Sequence, residues 1–127
     1  MKTSTNVHSW NEIIGFYTDR IHEGDDQMPM LEFVLYLKEN PIGERLFAFT
    51  DSLRLIISVH NPIEPFRDTL HLEFNQATDA FLFTYYKQLD RKPFVAEYKA
   101  ESIVDKFMAL IQGVGWQWLQ AAVRLLR

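Results

Sequence analysis

The chain of 127 residues contains no cysteine. This absence excludes disulfide bonds, thiolate nucleophiles, and zinc or iron–sulfur sites that depend on cysteine ligands. A domain of this length buries about two thirds of the surface of its unfolded chain, so it needs no covalent cross-link in order to fold. The lack of cysteine agrees with a reducing compartment, and we expect the protein to be cytoplasmic.

Long apolar runs are also missing from the sequence. Residues 1–6 are polar, whereas a signal peptide would carry an apolar stretch soon after its start. No uncharged apolar segment approaches the roughly 18 residues that are needed to cross a bilayer. The sequence therefore predicts a soluble protein without a membrane span.

The few glycines are dispersed along the chain. None of their spacings matches the glycine-rich loops that bind dinucleotides or nucleotide phosphates, and no serine lies in the G-x-S-x-G context of a hydrolase nucleophile. A catalytic triad stays open as an alternative, because its members are brought together only by the fold. The sequence predicts no cofactor and favours a protein that is not an enzyme.

Basic residues are few near the start of the chain and acidic residues are absent near its end. The net charge of the chain is −4. Residues 1–44 carry eight acids and three bases, whereas residues 106–127 carry no acid and three bases: Lys106, Arg124 and Arg127. Binding of nucleic acid normally needs a clustered basic face and several phosphate contacts. We therefore expect no nucleic-acid partner.

The pattern that is present indicates one domain over residues 1–127, because no repeat, low-complexity tract or flexible linker divides the chain. Ser9 and Glu12 have the spacing of a capping box, which predicts that a first helix begins at Ser9. A second helix is predicted over Pro29–Glu39, since proline suits the first turn of a helix.

A change of the apolar period from about 3.6 to 2 after Gly43 marks the start of a sheet. The connections that follow are too short for parallel crossovers, so neighbouring strands must be antiparallel. The pattern predicts a five-stranded meander with strands at Leu46–Thr50, Leu53–Val59, Leu70–Phe74, Phe81–Lys87 and Phe94–Lys99. The third strand is predicted to have one buried side and one wet side, with His71 and Glu73 on the wet side.

Two of these strands carry large apolar side chains on both faces. Ile56 interrupts the polar side of the second strand, and the fourth strand is aromatic on both sides. Part of the outer face of the sheet must therefore be covered. The sequence leaves open whether the cover is the Pro62–Pro65 loop, the C-terminal helix, a ligand or a partner chain.

The C-terminal part of the chain predicts one or two helices packed on the sheet. A helix that starts near Ser102 is followed by Trp116–Arg127, whose apolar stripe predicts a further short helix. Tryptophan and arginine are enriched at protein interfaces. Candidate contacts to a protein partner or to a second copy of the chain are Trp116, Trp118, Leu119 and Arg124. Docking of the terminal helix on its own sheet is the alternative.

The polar pair His71 and Glu73 is the first candidate for chemistry. Two ligands at positions i and i+2 can reach one metal ion, and a third ligand would come from His60, Asp68 or Glu97. The same pair, together with His60, is also a candidate for acid–base catalysis. Alternating polar residues are equally typical of a solvated strand face, and we predict no metal site.

A second candidate group consists of Tyr85, Tyr86 and Tyr98. These side chains are candidates to line a cavity for a ligand between the sheet and the helices. The alternative is that they belong to the ordinary core of the sheet.

The sequence thus predicts an α+β domain with two N-terminal helices, a five-stranded antiparallel sheet and one or two C-terminal helices. Domains of this kind include bacterial immunity and regulatory proteins and cone-shaped ligand-binding folds, which is an analogy of fold alone. The functional hypothesis is an immunity-like or adaptor-like protein-binding domain that self-associates through its C-terminal helix, with Asp25 and Asp26 as a second surface. The alternative hypothesis is a small-molecule-binding or enzymatic cavity between the sheet and the helices.

Overall fold

The computed structural model describes residues 6–116 of the chain. Two helices precede the sheet and one follows it: α1 (Trp10–His22), α2 (Met28–Glu39) and α3 (Ile103–Gly113). Short 3-10 turns at Pro41–Arg45 and Ala100–Ser102 lead into and out of the sheet. None of the helices in the described range is long and apolar enough to cross a bilayer.

Five strands form one antiparallel sheet in which each strand pairs with the next along the chain. They are β1 (Phe47–Asp51), β2 (Arg54–Ser58), β3 (Thr69–Asn75), β4 (Ala80–Tyr86) and β5 (Phe94–Lys99). The predicted α+β fold and its meander are confirmed, and the predicted strand ends differ from the observed ones by no more than one residue.

The start of α1 is fixed by local hydrogen bonds. The Ser9 hydroxyl accepts a hydrogen bond from the Glu12 backbone N–H at 3.1 Å, and the Ser9 N–H donates to the Glu12 carboxylate at 2.7 Å. These two bonds satisfy donors that every helix leaves unpaired at its first turn. The predicted capping box is therefore confirmed.

All three helices pack on one face of the sheet, which we call the inner face. Phe33 of α2 meets Phe107 of α3 edge to face, with 5.2 Å between the ring centroids. Phe33 also lies 6.4 Å from Phe81 of β4. All three rings have an exposed fraction of 1% or less, and together with aliphatic side chains they fill the space between sheet and helices.

The opposite, outer face is covered in part by the loop of residues 59–68 that joins β2 to β3. The prediction of a wet side on β3 is wrong for the first half of that strand, where Thr69 is 0% exposed and His71 is 3% exposed. Only Glu73 and Asn75 on this side are exposed. The alternating pattern failed because the loop that directly precedes β3 folds back over the first half of that strand.

The chain turns sharply after α3. Gly115 has a φ of +90°, a conformation that glycine adopts without steric cost. The turn places Trp116 against Tyr85 of β4, with 6.1 Å between the ring centroids. The short helix that the sequence predicts beyond Trp116 lies outside the described residues.

Candidate functional site

An open groove of about 1070 Å³ lies at the end of the sheet where β3 begins and β4 ends. One wall consists of His60 and residues 63–68 of the 59–68 loop, and the other consists of residues 87–90, which follow β4. We refer to this region as the sheet end. The groove therefore lies beside the sheet and not between the sheet and the helices.

Asp68 is the polar centre of the sheet end. It has a φ of 53°, a left-handed conformation that aspartate tolerates better than most residues. One carboxylate oxygen, Oδ1, accepts hydrogen bonds from the Tyr85 hydroxyl at 2.6 Å and from the Trp116 indole N–H at 3.0 Å. The other oxygen, Oδ2, lies 3.2 Å from Nε2 of His60. One carboxylate thus joins the loop, β4 and the residue that ends the described chain.

Electrostatics keep Asp68 ionised. Burial by itself disfavours the charged form and raises the pKa. The hydrogen bonds from Tyr85, Trp116 and His60 favour the carboxylate and together outweigh burial, so the pKa of Asp68 lies below its ordinary value. The pKa of the Tyr85 hydroxyl is raised, first by burial and then by its hydrogen bond to Asp68. At neutral pH the carboxylate is therefore the acceptor and the phenol the donor.

His71 has a structural position beneath the 59–68 loop. Its Nε2 lies 2.6 Å from the Pro65 carbonyl oxygen, which can only accept, so Nε2 carries the proton. The ring stacks on Phe66 at 5.9 Å and meets Tyr86 edge to face at 4.9 Å. Burial is the main cause that lowers the pKa of His71. We infer that a neutral imidazole fixes the loop on the outer face.

The residues predicted for acid–base or metal chemistry are not gathered at one point. His71 is buried below Phe66, Glu73 is exposed further along β3, and His60 lines the groove. Within residues 6–116 there is no group of three or more histidine, aspartate or glutamate side chains that could hold a metal ion.

The three predicted ligand-binding tyrosines lie on two different faces. Tyr85 and Tyr98 are on the inner face, where Tyr98 packs edge to face on Phe83 at 5.0 Å. Tyr86 is on the outer face, against Phe66 and His71. The described structure therefore does not bring the three side chains to one cavity.

At the groove, the Asp68 carboxylate lies 3.2 Å from the His60 imidazole. A carboxylate that holds an imidazole is how enzymes orient a general base. The nearby Ser58 hydroxyl, however, donates to the Asp68 backbone carbonyl at 3.0 Å and accepts from the His60 N–H at 3.1 Å. Ser58 is also fully buried, so it is not placed as a nucleophile.

Large apolar side chains are exposed at the sheet end. Among the described residues, six large apolar side chains are exposed. Phe66 (44%) and Leu89 (76%) line the groove, whereas Phe94 (46%) and Val95 (55%) begin β5 on opposite faces of the sheet. The remaining two, Met28 and Leu35, belong to α2. Sequence reasoning missed Phe66 and Leu89, although a lone leucine in the polar turn 88–93 was a usable signal.

Trp116, predicted as a partner contact, is 2% exposed and is bound to Asp68. Its indole therefore anchors the end of the described chain beside the groove. The other three predicted contacts, Trp118, Leu119 and Arg124, lie outside the described residues.

Comparisons with models of known protein families, with curated proteins and with solved structures found no match. The function of the chain therefore has to be inferred from its own residues.

Proposed function

We propose that the chain is a non-enzymatic protein-binding domain that self-associates through the sheet end and the segment that follows Trp116. The observation that carries this proposal is that two exposed apolar side chains, Phe66 and Leu89, line the same groove at the sheet end. Soluble proteins expose scattered apolar residues, but grouped ones typically mark an interaction surface. Leu89 supports the proposal most strongly, because it is 76% exposed in a turn that is otherwise polar.

The described chain ends beside the groove, because the Trp116 indole N–H donates a hydrogen bond to Asp68, which lines the groove. Trp118, Leu119 and Arg124 follow within the next eight positions. Aromatic and arginine side chains supply a large share of the binding free energy at protein interfaces.

Charge favours a second copy of the chain as the partner. Residues 117–127 carry two arginines and no acid, and the net charge of the whole chain is −4, so residues 1–116 carry −6. The C-terminal segment of one copy is therefore attracted to the body of another. A symmetric dimer would use this contact twice, which doubles its contribution.

The alternative function is a small-molecule site, and one observation favours it. His60 and Asp68 form a polar pair at the groove, and a ligand with a hydrogen-bond donor and an acceptor would match it. The exposed leucine and phenylalanine beside the pair are better suited to a protein surface, which is why we rank self-association first.

Sedimentation equilibrium of the full chain over a wide concentration range tests the proposal. We expect reversible association, weakened about tenfold or more by Leu89→Ser or by Leu119→Ser, as for residues at the centre of an interface. Leu35→Ser is the matched control, since it also removes an exposed leucine but on α2. A monomer at every concentration, or an equal loss in the Leu35 variant, would contradict the proposal.

A further inference from the structure

A second pocket, of about 410 Å³, lies near the other end of the sheet from the groove. Its lining includes three acidic side chains, Asp25, Glu73 and Glu97, and the amide side chain of Gln27. Leu82 contributes to the apolar part of its surface. The pocket therefore combines acceptors for hydrogen bonds with an apolar wall.

The register of the sheet places the two glutamates on either side of Leu82. Glu73 of β3 pairs with Leu82 of β4, which in turn pairs with Glu97 of β5. Adjacent strands are about 4.8 Å apart, so the backbones that carry the two carboxylates are about 10 Å apart. A flat cationic group that lies on Leu82 can reach both carboxylates.

The link between α1 and α2 brings Asp25 and Gln27 to the same pocket. The Asp26 N–H donates a hydrogen bond to the Gln76 side-chain oxygen at 2.9 Å, which ties the link to the turn after β3. The Gln27 N–H donates to the Asp25 carbonyl at 2.9 Å. The link is therefore held in place by bonds within the chain.

Gln27 is an independent sign that this pocket receives a donor. Its side chain is 3% exposed, and its Oε1 atom accepts no hydrogen bond from any described residue. A buried carbonyl oxygen without a donor is unfavourable and rare in folded proteins. Because Oε1 is itself closed to solvent, a ligand that supplies N–H groups would satisfy it once the Gln27 side chain turns toward the pocket.

The acidic side chains of the pocket also lack basic partners in the described part of the chain. The ion pairs seen within residues 6–116 involve none of the three carboxylates. Arg54 lies on the same face as Glu73, but the ion pairs seen within residues 6–116 do not include it. Its Nη1 atom lies 3.5 Å from His71 Nδ1 instead. The three carboxylates do not form a metal site, because residues 6–116 contain no group of three or more histidine, aspartate or glutamate side chains that could hold a metal ion.

We propose that this pocket binds the guanidinium group of an arginine side chain. Guanidinium is planar, weakly hydrated and carries five N–H donors, so one group can lie on Leu82 and donate to several separated acceptors. An ammonium group is compact and strongly hydrated, and it cannot span the two glutamates. The proposal does not depend on self-association through the sheet end.

An NMR titration of the full chain with N-acetyl-arginine amide tests the proposal. We expect saturable shifts of the Gln27 side-chain amide and the Leu82 backbone amide. The double variant Glu73→Gln/Glu97→Gln is expected to bind about tenfold more weakly, because two charge-assisted hydrogen bonds are lost. The variant Glu39→Gln/Glu44→Gln removes the same charge from exposed positions elsewhere and is expected to bind as the wild type does.

Three results would overturn the proposal. The first is the absence of saturation both in the wild type and in Arg124→Gln/Arg127→Gln, and the second is equal affinity in the two double variants that replace glutamates. The third is equal affinity for N-acetyl-lysine amide, which carries the same charge on an ammonium group. Unfolding by urea, measured on each variant, separates a lost site from a lost fold.

The arginine can come from the C-terminal segment of the chain or from another molecule, and a further variant distinguishes the two. In Arg124→Gln/Arg127→Gln, the added arginine compound binds more tightly if one of these side chains normally occupies the pocket, since the competitor is gone. Unchanged affinity assigns the pocket to an arginine from elsewhere. Both results keep the guanidinium site and identify its source.

Discussion

The two faces of the sheet are covered in physically different ways. On the inner face, Phe33 and Phe107 of the helices pack on the strands, and the contacts are between apolar rings. On the outer face, polar bonds hold the 59–68 loop: the Pro65 carbonyl accepts from His71 at 2.6 Å and from the Thr69 hydroxyl at 2.7 Å. Phe66 then lies over His71 with part of its ring in solvent.

The two kinds of cover suit two roles: stability of the fold on the inner face, and the proposed binding on the outer face. Burial of apolar surface is not directional and supplies most of the free energy of folding. Hydrogen bonds contribute less each but fix positions, so they suit a loop that has to present particular side chains. The inner face is therefore the scaffold of the fold, and the binding that we propose uses the outer face together with the sheet end.

The largest expected effect comes from emptying the inner face. Phe107→Ala removes a ring that is 0% exposed and is expected to lower the free energy of unfolding by about 3–5 kcal/mol. Phe66→Ala is the matched control on the outer face, with an expected loss below about 1 kcal/mol because the ring is partly in solvent. Urea unfolding followed by circular dichroism measures both. Equal losses of unfolding free energy in the two variants would contradict the claim that the inner face supplies most of the stability.

A smaller effect is expected from the polar link of the outer face. His71→Ala removes the bond to Pro65 and the stack on Phe66, and is expected to lower the free energy of unfolding by about 2 kcal/mol. Amide hydrogen exchange should accelerate in residues 63–67. Glu73→Ala, on the same side of the strand, is expected to change stability by less than about 0.5 kcal/mol. Unchanged exchange in the loop would show that His71 does not hold it.

The smallest effect in this series concerns the pH dependence that Asp68 contributes. Its pKa is lowered in the folded chain, so its contribution is present above the pKa of the unfolded chain and is lost as the pH falls through the folded pKa. Asp68→Asn is therefore expected to cost about 1 kcal/mol at neutral pH, and this difference should shrink on acidification. Urea unfolding at neutral and at acidic pH measures it. An equal difference at both pH values would contradict the role of the carboxylate.

Much of the fold was predictable because its signals are local. Ser9 and Glu12 are three residues apart, and the bonds between them need no other part of the chain. The strands followed from alternation within each segment together with connections too short for a crossover. Such features depend on near neighbours in sequence, which is why the strand ends agreed to within one residue.

The candidate site was not predictable in the same way. Asp68 meets Tyr85 and Trp116 across 17 and 48 residues of chain, and no local pattern encodes those hydrogen bonds. The burial of His71 likewise depends on where the 59–68 loop packs on the sheet. Sequence patterns identify which faces need a cover, but the fold decides which segment supplies it.

The central claim is that the sheet end is the surface through which copies of this chain bind each other. Backbone amide shifts, recorded by NMR on the full chain while it is diluted, test this claim most directly. The account predicts concentration-dependent shifts in residues 63–67 and 87–90, with α2 and the inner face unchanged. Shifts that map to α2, around Met28 and Leu35, or no shifts at any concentration, would contradict it.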